Sequence, residues 1–432
     1  MDCADESSRN PTPWTRRQLL ALGAALPAGT ILARFAMAQG FTEAPIAPPE
    51  ARGNLDHRFW RDLLEDFPLE PNERYFATAD LGIQPLQTLD RMHRVATELA
   101  AHAASVQSDH VETARAATAR FFGAETHEIA LLHDATEAMA TLAEALPLDP
   151  GAVVAISTDE PPSTLTPWVS LARVGRIRLQ PYAPDAGGSA CKRALQGASA
   201  LVVSHVSPAT GEILPLQEIC TAAHASKALV IVNGSHAAGI VPFALRDLEV
   251  DAYIAAGSGF LLGPQGTAIL YARASLLSRL APRYRPVENI RDAGTPTTRG
   301  IEAARVLETQ ALSPGLAAGL AASLEWLGGL GIEVVREHAT ILSRTLFDGI
   351  ISINGIEPLG TAATVAAVPI LCIRIPKRPY TQVAEWLQSE LSVRVHPVST
   401  PGLNCVRAST HVINRKTDID PLIEGLRRLA LE

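Results

Sequence analysis

From residue 128 to residue 272 short apolar runs alternate with helical segments, and this alternation constrains the fold more than any other feature of the chain. Seven runs stand out: Glu128–Leu132, Ala152–Ile156, Arg176–Gln180, Ala200–Ser204, Leu229–Val232, Ala252–Ala256 and Thr267–Tyr271. Most are nearly continuous in apolar residues. A strand of that kind is buried on both faces, which requires helices on both sides of a largely parallel sheet. The expected fold is therefore α/β, a mostly parallel seven-stranded sheet between helices. Ligands of such sheets bind beyond the carboxyl ends of the strands. Upstream, residues 85–122 read as helical: Pro85 suits a first helical position, and Leu86, Leu89, Met92, Val95 and Leu99 recur as an apolar stripe. Downstream, residues 303–351 read as helix with a break at Gly328–Gly329. Ile370–Ile375, Val393–Val395 and Cys405–Ser409 then alternate with helical segments 379–389 and 417–430, which predicts a smaller α+β domain.

The first 38 residues read as a leader to be removed before folding is considered. Thr15-Arg16-Arg17-Gln18-Leu19-Leu20 resembles the twin-arginine export motif, an apolar run from Leu19 to Leu32 follows, and Ala36-Met37-Ala38 is a small-x-small cleavage pattern. Cleavage after Ala38 and a periplasmic location are expected. The mature chain divides into an arm over 39–75 with an apolar patch at Phe59, Trp60 and Phe67, a large domain over 76–290 and a small domain over 291–432. With 47% apolar and 19% charged residues it belongs among ordered globular chains. A net charge of -8 without a basic stripe argues against nucleic-acid binding, and the spread of apolar character argues against stable membrane insertion. Cys191, Cys220, Cys372 and Cys405 show no C-x-x-C spacing, and the 12 histidines form no H-x-x-x-H pair, so no metal is expected.

Five runs together resemble the class V aminotransferase family, with an isopenicillin-epimerase-like branch as the nearest likeness. Asp134-Ala135-Thr136-Glu137-Ala138 is similar to N-A-T-E-A, and Ser204-His205-Val206-Ser207-Pro208-Ala209-Thr210-Gly211 to S-H-V-S-N-x-T-G. Val232-Asn233-Gly234-Ser235-His236-Ala237-Ala238-Gly239 is similar to V-D-G-A-Q-A-x-G. Gly257-Ser258-Gly259-Phe260-Leu261-Leu262-Gly263-Pro264 stands where G-H-K-W-L-x-G-P is expected, and Val406-Arg407-Ala408-Ser409 resembles V-R-I-S. The resemblance implies fold type I, pyridoxal phosphate (PLP) as cofactor, and a homodimer. It implies that Ala135 and Thr136 hold the cofactor phosphate; a threonine cap without ligand accounts for the same residues. It implies that Asn233, His236 and Ser258 lie around the cofactor ring and phosphate, that Arg407 grips a substrate carboxylate, and that Gly294-Thr295 reaches the partner's phosphate.

The same comparison of motifs exposes what is missing. The Schiff-base lysine position is Gly259, so no catalytic residue is assigned. The only lysines are Lys192, Lys227, Lys377 and Lys416, none close to it in sequence. The carboxylate partner of the pyridine nitrogen is Asn233, the motif asparagine is Pro208, the ring-stacking position falls near Pro161, and the phosphate-side serine and histidine are Ala256 and Ser258. A neutral amide cannot keep that nitrogen protonated. Three readings follow. The first is an exported pseudoenzyme that binds a small anionic ligand or a partner in the former PLP cleft, with PLP not covalently held. The second is an enzyme with other chemistry built on His236 and Ser258, with His205 a weaker candidate. The third is a noncatalytic subunit paired with an active paralogue. In the family the strands of Cys372 and Cys405 share one sheet, which leaves a bridge or two free thiols as alternatives.

Overall fold

The computed structural model describes residues 57–70, 72–102, 109–281, 303–308, 312–400 and 402–431. The leader, its cleavage site, the first part of the arm and Gly294-Thr295 lie outside the described residues. Strands are numbered in chain order: β1 Arg74–Tyr75, β2 Ile129–Leu132, β3 Ala152–Ser157, β4 Ile177–Tyr182, β5 Ala200–Ser204, β6 Leu229–Asn233, β7 Ala252–Ala256 and β8 Ala268–Ala272. In the C-terminal part follow β9 Glu357–Pro358, β10 Ile370–Arg374, β11 Val393–Arg394, β12 His396–Val398 and β13 Cys405–Ser409.

The seven predicted runs form one sheet in the order β2-β8-β7-β6-β5-β3-β4. All neighbours run parallel except β8, which is antiparallel to β2 and β7. The reason lies in the side chains. Along β2, Ile129 and Leu131 enter one core while Ala130 and Leu132 enter the other. The same alternation continues on β5, where Leu201 and Val203 face one side and Ala200 and Val202 the other. Each such burial of Val, Leu or Ile contributes about 1.5–3 kcal/mol. The carboxyl ends of β2, β3, β5, β6 and β7 therefore share one edge.

The second sheet, β12-β13-β10-β9, is antiparallel and packs against the helices Ile332–Ile350 and Lys416–Leu431. Beside it β1 pairs parallel with β11, so the end of the arm is a strand of the C-terminal domain. Farther up the arm, Trp60 stacks on His338 with ring centroids 3.9 Å apart, and Phe67 meets Trp326 edge-on at 5.4 Å.

One helix boundary differs from the sequence reading. The helix Pro314–Leu330 runs through Gly328 and Gly329 and ends at Gly331, whose φ of +84° no α-helix accommodates. That helix packs on the helices Leu86–Ala101 and Asp109–Phe122 of the large domain. Its Leu320, Leu324 and Leu327 join the core of the large sheet. Among the described residues no single helix is long and apolar enough to cross a membrane.

Candidate functional site

Gly259, the position where the resemblance expects the lysine, lies where β7 leaves the sheet. Gly259 opens a short 3-10 turn, Gly259–Leu261, and adopts φ +72°. A side chain at this position would place its Cβ 2.8 Å from the carbonyl oxygen of Ala79. That carbonyl belongs to a turn over residues 77–82, in which the Asp80 and Leu81 amides both donate to the Ala77 carbonyl. Ala79 N–H donates to Ser409 Oγ at 2.9 Å, and Tyr75 Oη donates to the Leu81 carbonyl at 2.7 Å. Gly82 closes the contact from the other side: a Cβ there would fall 2.1 Å from the Gly259 carbonyl oxygen. The two backbones pass so closely that only glycine fits at either position. No lysine reaches the gap. Lys227, Lys377 and Lys416 are exposed, and Lys192 pairs with Glu218 at 2.7 Å.

The same turn fills the carboxylate position. Arg407 lies mid-strand in β13, paired with His396 of β12 on one side and Cys372 of β10 on the other. Its Nη1 donates to Asp80 Oδ1 at 2.5 Å, and its Nη2 donates to the Pro208 carbonyl at 2.6 Å. His236 Nε2 stands 3.3 Å from Arg407 Nη1 and 3.7 Å from Asp80 Oδ1, while His396 Nε2 is 3.5 Å from the same Asp80 oxygen. Burial works to raise the Asp80 pKa, but the Arg407 charge, helped by both histidines, overrides it and holds the carboxyl well below the ordinary range. Burial and Arg407 together lower His236, against Asp80. The arginine expected to grip a ligand grips an aspartate of its own chain.

A second buried carboxylate stands at the ends of β3, β5 and β6. Glu160 is 1% exposed, and its Oε2 accepts from Ser204 Oγ at 2.7 Å. Burial pushes its pKa up to about 7, against the hydrogen bonds of Ser204 and Asn233. Asn233 Nδ2 donates to Thr164 Oγ1 at 3.0 Å, and its Oδ1 accepts from the Ser235 amide at 3.2 Å. Beneath them His205 Nδ1 is 3.0 Å from Tyr253 Oη, and burial lowers its pKa to about 4. It is a neutral core histidine.

At the start of the helix Ala135–Ala145 the capping residue is Asp134 and not Thr136, which lies inside the first turn. The Thr136 and Glu137 amides both donate to Asp134 Oδ1, at 2.7 and 2.9 Å. A carboxylate thus sits on the Thr136 N–H, one of the groups expected to hold a phosphate. Ser258 is half-buried and makes no capping bond to the turn it precedes.

Of the residues picked from sequence, the structure brings Arg407 and His236 together and sets Asn233 in a separate cluster with Thr164. Asp80, Glu160 and His396 were missed. The available signals were an aspartate inside the small-residue stretch Ala77-Thr78-Ala79-Asp80-Leu81-Gly82, and a glutamate directly before Pro161 at the end of a buried strand. Cys372 and Cys405 are buried free thiols. Cys372 Sγ donates to the Pro208 carbonyl at 3.5 Å, and the influence of the two thiols on each other lowers the Cys372 pKa and raises that of Cys405.

An α/β protein with a seven-stranded sheet, a smaller antiparallel sheet and a cluster of buried polar groups is thereby defined, and comparison with known proteins supplies the family. The aminotransferase class-V model matches residues 83–422, and the chain belongs to that family. It is 26% identical over 400 residues to an isopenicillin N epimerase of Amycolatopsis lactamdurans, covering 86% of this chain and 98% of the relative. It is 25% identical over 393 residues to a probable cysteine desulfurase of Methanothermobacter thermautotrophicus, covering 85% and 98%. Among solved structures, the apo cysteine desulfurase of Thermococcus onnurineus superposes with TM-score 0.77 at 23% identity, covering 86% of this chain and 98% of that one. A mutant of C-DES with glycine covalently linked to its PLP cofactor gives TM-score 0.77 at 22% identity, covering 84% and 98%.

The family is PLP-dependent, yet the residues of this chain do not fit a Schiff-base cofactor. Gly259 has no amine and a Cβ there would meet the Ala79 carbonyl, the Thr136 and Glu137 amides are held by Asp134, and Asn233 offers the ring an amide already bonded to Thr164.

Proposed function

We propose that this chain is a class V aminotransferase-fold protein that has given up lysine-dependent PLP chemistry and works by binding at the carboxyl edge of its large sheet. The observation that carries this reading is Gly259, at φ +72° with the Ala79 carbonyl 2.8 Å from where a Cβ would stand. A position that had merely lost its lysine would keep the space for one. The enzyme reading built on His236 is less well supported, because His236 Nε2 is engaged by Arg407 and Asp80. The anionic ligand expected at Arg407 meets a seat already taken by Asp80.

The test is to incubate the full chain with PLP, reduce with borohydride and map the peptides by mass spectrometry. The expected result is no visible aldimine band and no pyridoxyl group on any of the four lysines. A pyridoxyl adduct on a lysine in the folded protein, at one equivalent per chain, contradicts the proposal. The reading includes export and assembly. With Arg16→Lys and Arg17→Lys the chain is expected to stay in the cytoplasm with its leader uncut. Sedimentation is expected to give a homodimer for the chain expressed alone; a monomer that dimerises only with an active paralogue supports the subunit reading instead.

A further inference from the structure

We propose that the turn over residues 77–82 is a resident plug, and that the Arg407 seat accepts a small free carboxylate only in exchange for Asp80. This rests on the binding reading above. Three observations lead to it. First, one turn fills two positions: its Ala79 carbonyl covers Gly259, and its Asp80 carboxylate sits on Arg407. Second, the fit at Arg407 is incomplete. Arg407 reaches Asp80 through Nη1 alone, and among the described residues neither the buried Arg407 Nε nor the buried Asp80 Oδ2 has a hydrogen-bond partner. Guanidinium and carboxylate groups favour two parallel bonds. A tethered carboxylate, fixed by the backbone of its turn, supplies one. A freely oriented carboxylate has no such restraint and can use the unpartnered donor as well. Third, the seat is otherwise complete. His396 and Cys372 flank Arg407 on the neighbouring strands, His236 faces it, and the Pro208 carbonyl fixes the far nitrogen of its guanidinium.

Tethering gives Asp80 the advantage of a high effective concentration. The wild-type seat is therefore saturated by its own chain, and a free carboxylate competes only when the turn moves. The ligand class is a small monocarboxylate, because the seat presents one guanidinium and two histidines held toward their neutral forms by burial.

The probe is acetate, followed by saturation-transfer NMR on the full chain at pH 7, with sodium chloride keeping ionic strength constant. Asp80→Ala is expected to bind acetate at least tenfold more tightly than the wild type, with Asp80→Asn in between. Adding Arg407→Lys to Asp80→Ala is expected to abolish the gain, since an ammonium lacks the fork. A folded Asp80→Ala that binds acetate no better than the wild type overturns the proposal, as does a gain that survives Arg407→Lys. Should the Asp80 variants not fold, hydrogen exchange of the wild-type peptide over residues 76–82 decides: faster exchange in acetate than in chloride supports displacement, and equal exchange overturns it. A pyridoxyl-lysine adduct leaves these outcomes untouched, so the two readings fail separately.

Discussion

Two carboxylates, the largely buried Asp80 and the fully buried Glu160, have their charges settled in opposite ways. Asp80, with 14% of its side chain exposed, is held ionised because Arg407 lies within salt-bridge distance. Glu160, 1% exposed, has hydroxyl and amide donors but no cation among the partners that shift it, and burial pushes it up to about 7. Burial acts on both; only a matching charge reverses it. The Arg407 end of the edge is thus an ion-paired lock, and the Asn233 end holds an acid that titrates near neutrality.

Breaking the lock has the largest expected effect. Arg407→Ala leaves the largely buried Asp80 without its guanidinium and with only His236 and His396 beside it, and urea denaturation at pH 7 is expected to show a loss of about 3–5 kcal/mol. A loss below about 1 kcal/mol, the range of exposed pairs, puts the two ends on an equal footing and breaks the comparison. The Glu160 end is tested by pH. Its folded pKa is raised above the ordinary 4.5, so its contribution is fully present below 4.5 and is lost as pH rises through about 7. Glu160→Gln is expected to match the wild type near pH 4.5 and to be more stable by roughly 2–3 kcal/mol at pH 8. The lowered Asp80 has the opposite sign: its contribution is present above the ordinary 3.8 and is lost as pH falls below it. Equal pH profiles for wild type and Glu160→Gln count against the buried-acid assignment. Smaller still is the helix start, where Asp134→Ala is expected to cost about 1 kcal/mol of stability through the lost cap. Least of all is the Cys372–Cys405 pair. Reductant is expected to leave the melting temperature unchanged, and both cysteines are expected to alkylate after unfolding; a bridge instead shows as a reductant-sensitive loss of about 2–4 kcal/mol.

The large sheet was legible because burial on both faces writes a continuous apolar run, as in Leu229–Asn233 and Ala200–Ser204. The strands β1, β9 and β12 were not, because two or three residues such as Arg74–Tyr75 or His396–Val398 carry no periodicity. Motif spacing exposed Gly259, Asn233, His236 and Arg407. Asp80 escaped because it lies 327 residues from Arg407, and no local pattern reports a contact made by tertiary folding. The helix break fell at Gly331 and not at Gly328–Gly329 because a glycine doublet tolerates helical dihedrals, whereas the φ of +84° is invisible in sequence.

The central claim is that the turn over residues 77–82 has taken the space above Gly259. Chemical denaturation of Gly259→Ala tests it most directly, since a single methyl probes both the left-handed backbone and the gap to Ala79. Loss of roughly 1–3 kcal/mol relative to the wild type is predicted. A Gly259→Ala chain as stable as the wild type, or more stable, contradicts the account, because the position then has room for a side chain.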